Sequence, residues 1–244
     1  MFSLWGVNLI LPNFLENIPR LSKTEKLIEV INNIDKLNWD KARELWIIEF
    51  INFREKPNRK TISLFGSERS NFIQHIEEFQ RHDLIQRCSE LCPDNNKILS
   101  NSNYMIFFEK NNQKVELISA YGAKCYKCNQ QRITHFNFYY NPNFILIESA
   151  RANTLYSELP LEIEISNKIF KLFSCTIFNS ELSHFVGIFY LNQEYFLVDD
   201  LGQHIEYITQ NTASLKRSNK KRNNSTYRYN FMKVTAAFYY SINS

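Results

Sequence analysis

SHFVGIFYLNQEYFLVDDL, residues 183–201, holds two alternating apolar runs on either side of Asn192-Gln193. Alternation with period two predicts strands, and the short polar gap predicts a β-hairpin. A two-residue turn pairs Leu191 with Glu194 and, stepping outward, Val186 with Asp199 and His184 with Leu201. His184 and Asp199 then become diagonal neighbours on one face. A bulge or a three-residue turn would flip the parity and bring Asp200 opposite His184, so both carboxylates stay in play. A carboxylate that accepts from one imidazole nitrogen fixes the tautomer and leaves the other nitrogen as a base. A strand-end histidine satisfied by polar turn residues is the ordinary alternative.

The rest of the chain sets the frame for that hairpin. Its 244 residues, 44% hydrophobic, can bury a core in one domain with subdomains or in two small domains. A net charge of +4 is too small to imply a nucleic-acid partner. The five cysteines are an odd count, and the opening MFSLWGVNLILPNFLENIPR lacks a basic leader and a small-residue cleavage site. These features predict no disulfide framework and a cytoplasmic or nuclear setting. No apolar run reaches the ~18 residues of a membrane span, so no membrane partner is expected.

The first part reads as helical. SKTEKLIEVINNIDKL opens on a capping box, Ser22 to Glu25, and continues with Leu27, Ile28, Ile31, Ile34 and Leu37 at helical spacing. Residues 38–55 predict a second helix, ended by KPNRKT. A third is predicted with Phe72, Ile73, Ile76 and Phe79 on one side and Ser67 or Ser70 as its cap. From Cys88 the period changes. YMIFFEK and KVELISAYG predict a hairpin about an Asn-rich turn, and Phe144 to Ile147 a continuous apolar strand. LEIEIS, KIFKLFSCTIFNS and FMKVTAAFYYSI add further strands. Helices followed by a mostly antiparallel β half predict an α+β fold. The basic run LKRSNKKRNNSTYR, residues 215–228, reads as an exposed, solvated loop.

Cys88-x3-Cys92 and Cys125-x2-Cys128 form two close pairs separated by a predicted hairpin. Two such pairs are how a chain assembles four thiolates around a structural Zn²⁺. Cys175 stands alone within an apolar strand and reads as a small buried hydrophobe.

These features together resemble the ubiquitin-specific protease family. The 183–201 stretch is similar to its His box, a His before aromatic and β-branched residues, then a hairpin closing on an aromatic and two Asp. NFILIES, with Pro142 upstream, resembles its Pro-x-x-Leu strand. The segment carrying Leu159, Pro160, Phe170 and Leu172 resembles the one that follows. KVTAAFYYSI resembles the closing aromatic strand, and the cysteine pairs resemble the zinc-bearing fingers. LFGSERSNFIQHI and CSELCP look closer to divergent members linked to SUMO or to mobile elements. The resemblance spans about residues 60–243. It implies a papain-like α+β domain over residues 1–244, with a helical thumb part (1–86), zinc fingers (87–150) and a palm bearing the His/Asp hairpin (151–244). It implies a ubiquitin or SUMO-like partner, a monomer, structural zinc on Cys88, Cys92, Cys125 and Cys128, and His184 as base with Asp199 or Asp200 behind it.

One departure decides the expected activity. The family's nucleophilic cysteine opens a helix near the N-terminus, and here no cysteine precedes Cys88. The chain as written is expected to be inactive, with cysteine-dependent isopeptide hydrolysis belonging to a complete protein. The competing expectations are a non-catalytic ubiquitin- or SUMO-binding pseudoenzyme and a zinc-ribbon module that contacts nucleic acid. Against the last, the basic run carries no interleaved stacking aromatics.

Overall fold

The structure is a computed structural model. It describes residues 2–11, 13–51, 67–88, 92, 98–102, 106–111, 114–118, 124–130, 132–149, 154–179, 184–199, 204–208 and 233–241. The basic run at 215–228, the KPNRKT break and Asp200 lie outside these residues.

Three helices, α1 (Phe2–Ile10), α2 (Thr24–Asp35) and α3 (Trp39–Glu49), come first. The strands are β1 (His82–Arg87), β2 (Ile98–Ser102), β3 (Ile106–Asn111), β4 (Lys114–Ile118), β5 (Ile133–Phe138), β6 (Phe144–Glu148), β7 (Glu162–Ile165), β8 (Lys168–Asn179), β9 (His184–Leu191), β10 (Glu194–Asp199), β11 (His204–Ile208) and β12 (Lys233–Ser241). Nine of them form one sheet of order β11-β10-β9-β8-β12-β6-β3-β4, with β7 added against β8. Every pairing in it is antiparallel except the short β3–β6 contact. A second sheet, β2-β1-β5, is fully antiparallel. The architecture is therefore α+β, as expected. The segment 87–150 divides between the two sheets, and β1 begins upstream of it.

The large sheet is apolar on both faces. One face carries Ile145, Ile147, Val186, Ile188, Tyr195, Leu197 and Tyr239. The other packs Phe144, Leu146, Phe173, Ala236 and Phe238 against the helices. Strand β6 is buried on both sides, which is why its sequence runs without alternation. Two irregularities let neighbouring strands keep this sorting. A register shift beside Thr235 turns that residue toward the helical layer, and a shift near Phe173 sends its ring there too.

Helix α1 seats on the sheet because residue 6 has no side chain. A Cβ on Gly6 would stand 2.6 Å from Cζ of Phe173. Of the stripe expected for α2, Leu27, Ile31 and Ile34 are buried, joined by Val30, whereas Ile28 is half-buried and Leu37 is exposed, because the helix ends at Asp35 and Leu37 turns off it at φ 58°. Its start differs from expectation, because the Ser22–Glu25 box does not form. Thr24 Oγ1 instead accepts from the Leu21 N–H (2.7 Å) and donates to the Pro19 carbonyl (2.6 Å), tying the helix to the turn before it. The expected third helix is a compound one: a π-helical turn (Arg69–Ile73), a short α turn (Gln74–Ile76) and a 3-10 turn (Glu77–Gln80). Ser67 caps it by accepting from the Ser70 N–H. Gln80 ends it by bonding both the N–H (2.6 Å) and the C=O (2.9 Å) of Leu146, acting as a side-chain substitute for a strand.

Candidate functional site

Strands β1 and β5 pair with Arg87 opposite Ile133, so the chain leaves β1 and enters β5 at the same end. Cys88 follows β1 directly, and the turn Cys125–Cys128 lies just before β5. Asn129, in the left-handed region at φ 55°, sharpens that turn. The Asn129 N–H bonds the Cys125 carbonyl and the Cys125 N–H bonds the Gln130 carbonyl, both at 2.8 Å.

The four sulfurs of Cys88, Cys92, Cys125 and Cys128 all lie within 4.8 Å of one another. The Cys88–Cys128 distance is 3.1 Å and the Cys92–Cys125 distance 3.7 Å. A tetrahedron of thiolates around zinc has edges of about 3.8 Å. The donors are soft, four in number and mostly buried, which fits a closed structural zinc site. The backbone N–H groups of Cys128 and then Lys127 bond the Cys125 sulfur and pull its thiol down to about 6, against the opposing effect of burial. Thiolate is the form a metal binds.

The β9–β10 hairpin has the register read from the sequence. Leu191 pairs with Glu194, Tyr190 with Tyr195, and Gly187 with Val198. The turn residues Asn192 and Gln193 both have positive φ, 51° and 67°. That is the type I′ geometry that matches strand twist. Asp199 is 7% exposed and shares the inward parity of Leu197 and Tyr195. Position 184 opens β9, paired through its backbone with Asn179, and has the parity of Val186 and Ile188. The backbone thus sets positions 184 and 199 on one face. The His184 side chain and Asp200 fall outside the described residues. On its other edge Asp199 pairs with His204 of β11, a strand the sequence reading did not identify.

Cys175 lies in the core of the sheet. Burial, and then the nearby Glu68 carboxylate, push its thiol far above the ordinary range, so it stays protonated at neutral pH. On the helical face a cavity of about 270 Å³ is lined by Ser3, Glu68, Ser174, Thr176 and several phenylalanines. Ser3 Oγ is 2.7 Å from Ser174 Oγ. The Thr235 hydroxyl donates to Glu68 at 2.6 Å, and burial raises the pKa of that carboxyl. Arg69 bridges Glu148 (2.9 Å) and Glu77 (3.1 Å) beside it. Sequence reasoning missed this polar group. Its members come from five distant segments, around residues 3, 68–77, 148, 174–176 and 235, which only the fold brings together.

No family model matches the chain, and no curated protein matches it. Among solved structures it is similar to the SAGA DUB module Ubp8/Sgf11/Sus1/Sgf73 bound to monoubiquitin, at 11% identity and a TM-score of 0.37, covering 84% of this chain and 48% of that one. A form of the module with a shortened Sgf11 gives 12% identity and a TM-score of 0.42, covering 99% and 66%. A yeast SAGA module carrying an Sgf73 mutant gives 11% and 0.39, with the same coverage. The chain spans about half to two thirds of the length of those chains. Among the described residues, no helix is long and apolar enough to cross a membrane.

Proposed function

We propose that this chain is a ubiquitin-specific-protease-like domain that binds ubiquitin or a ubiquitin-like protein, with zinc-held fingers and a palm carrying His184 and Asp199. The observation that carries the reading is the joint outcome of two motifs. The cysteine pairs converge at the end of β1–β5, and the β9–β10 register returns positions 184 and 199 to one face. Neither depends on the other, and the family resemblance calls for both. In this reading zinc fixes the fingers sheet, Asp199 orients His184, and His184 is a base awaiting a nucleophile.

The chain's thiols do not supply one. In this reading four hold the metal, their sulfurs lying within 4.8 Å of one another, and Cys175 is a protonated core residue. A base without a nucleophile leaves covalent acyl transfer without its first step. The domain as written therefore binds without cleaving.

The test combines binding and turnover. Isotope-labelled ubiquitin and SUMO are titrated with the chain, and C-terminal fluorophore conjugates of each are assayed with the wild type and Cys175→Ala. The expected result is saturable shifts with one of the two proteins and no turnover by either enzyme form. Turnover lost in Cys175→Ala would make Cys175 the nucleophile. Turnover kept would point to a hydroxyl or a metal-bound water. Absence of binding to both proteins would end the reading.

A further inference from the structure

Arg132 is 7% exposed, and its Nη1 has no hydrogen-bond partner among the described residues. A buried guanidinium is among the most costly groups to leave uncompensated, because its charge is taken out of water with nothing to replace the solvent. A nearby negative charge is therefore the physical expectation. The register shows where that charge comes from. Arg87 faces Ile133 at the end of the β1–β5 ladder, and Cys88 and Arg132 are the next residues beyond it on the two adjoining strands. The two residues share a parity with Gln86 and Thr134, whose backbones also pair, so they belong to the same face. Directly opposed positions have Cβ atoms about 4.5–5.5 Å apart, well within the span of an arginine side chain.

Four thiolates around a divalent zinc carry two excess negative charges. The other cations close in sequence, Arg87, Lys124 and Lys127, are exposed, so water screens their charge. We propose that Arg132 is the charge-balancing and positioning residue of the four-cysteine site, its guanidinium turning to donate to the thiolate of Cys88 when the metal is bound. The inference rests on the reading of the four cysteines as a zinc site. It assigns Arg132 two effects. It stabilises the metal-loaded thiolates against release, and it lowers the electron density on the sulfur it contacts. Outer residues that bond to metal ligands typically change metal affinity by about ten- to a hundredfold when removed.

The experiment uses the full chain, loaded with zinc and then exchanged with cobalt. Zinc affinity is measured by competition with a chromophoric chelator in the wild type, Arg132→Gln, Arg132→Lys and the surface control Arg87→Gln. Arg132→Gln is expected to weaken zinc binding by about tenfold or more. Arg87→Gln, which removes the same charge one residue from Cys88, should stay within about twofold because its charge is solvated. Arg132→Lys keeps the cation but loses the planar fork. It should retain most of the affinity while shifting the sulfur-to-cobalt charge-transfer band to lower energy. That readout serves even where Arg132→Gln does not fold. Equal affinity losses in Arg132→Gln and Arg87→Gln, or an unmoved band in Arg132→Lys, would overturn the assignment. A wild-type chain that binds no zinc would instead refute the metal site itself.

Discussion

Replacing Gly6 by alanine sets two effects against each other, and the structure decides between them. In an isolated helix the change stabilises by ~0.8–1 kcal/mol, because alanine is the better helix former. Here the new methyl would lie 2.6 Å from Cζ and 2.9 Å from Cε1 of Phe173. Carbon atoms prefer ~3.5–4.0 Å, so the ring or the helix must yield by about 1 Å. The ring has no room. It is enclosed by Phe189, Tyr240 and Phe238, at centroid distances of 5.7, 6.0 and 6.4 Å. Overpacking of this kind costs ~1–3 kcal/mol, so after the helix-propensity gain the net expectation is a loss of up to ~2 kcal/mol. Urea denaturation of Gly6→Ala, Phe173→Leu and the double variant checks it. Leucine ends short of the ring's far edge, so the double variant should recover part of the Gly6→Ala loss, with a coupling of about 1 kcal/mol. A raised midpoint in Gly6→Ala, or additivity within about 0.3–0.5 kcal/mol, would refute the claim that Gly6 is there to admit Phe173.

Gln80→Leu keeps the bulk of the side chain but strands the N–H and C=O of Leu146 in the core; at ~1–3 kcal/mol for each buried unpaired group, chemical denaturation should show a loss of at least ~2 kcal/mol. Gln193→Gly removes a side chain from a residue at φ 67° and should stabilise by about 1 kcal/mol, read as a raised midpoint in the same assay. His82, buried against Phe136 and Phe138, is held below the ordinary imidazole pKa by desolvation, partly offset by its bond to the Gln80 carbonyl. The unfolded chain takes up a proton there that the folded chain refuses, so this contribution is intact above about pH 6.5 and is lost as pH falls below it. Glu68, Glu77 and Glu148, whose pKa values burial raises, act in the opposite sense. The comparison is therefore differential: between pH 7.5 and 5 the wild type should lose more stability than His82→Phe, and parallel pH profiles would refute a neutral buried His82.

What the sequence made legible were features written in short range. The cysteine pairs announce themselves by spacing, and β6 by an apolar run without alternation. The features it hid depend on distant partners. HDLIQR, the β1 sequence, has only two apolar residues, yet His82, Leu84 and Gln86 are its buried positions. The polar ones are buried because of what faces them: aromatics of β5 for His82, and for Gln86 the ladder between two strands. The Ser22–Glu25 capping box is present in sequence and unused, because Thr24 finds Pro19 and Leu21 within reach and starts the helix there. The compound helix at 69–80 follows neither glycine nor proline within it. Its geometry is set from outside, by Arg69 held to Glu148 and Gln80 held to Leu146.

The hairpin shows how a register legible in sequence is enforced by energy that is not. A type I′ turn requires left-handed backbone at both central residues, and Gln193 is a poor occupant, at a cost of ~1–2 kcal/mol. A three-residue turn would relieve it and would exchange the face of one strand relative to the other. That slip would turn Tyr195 and Leu197, or else Val186 and Ile188, out of a core in which each is nearly inaccessible. Each large apolar side chain so exposed costs ~1.5–3 kcal/mol, so either pair outweighs the strained turn. The core therefore selects the two-residue turn in spite of its residues. The same selection carries Asp199 to the inner face, because it stands two positions beyond Leu197 on a strand whose parity the core has fixed. The carboxylate's placement beside position 184 is thus a consequence of burying four apolar residues, and it needs no contact of its own to specify it.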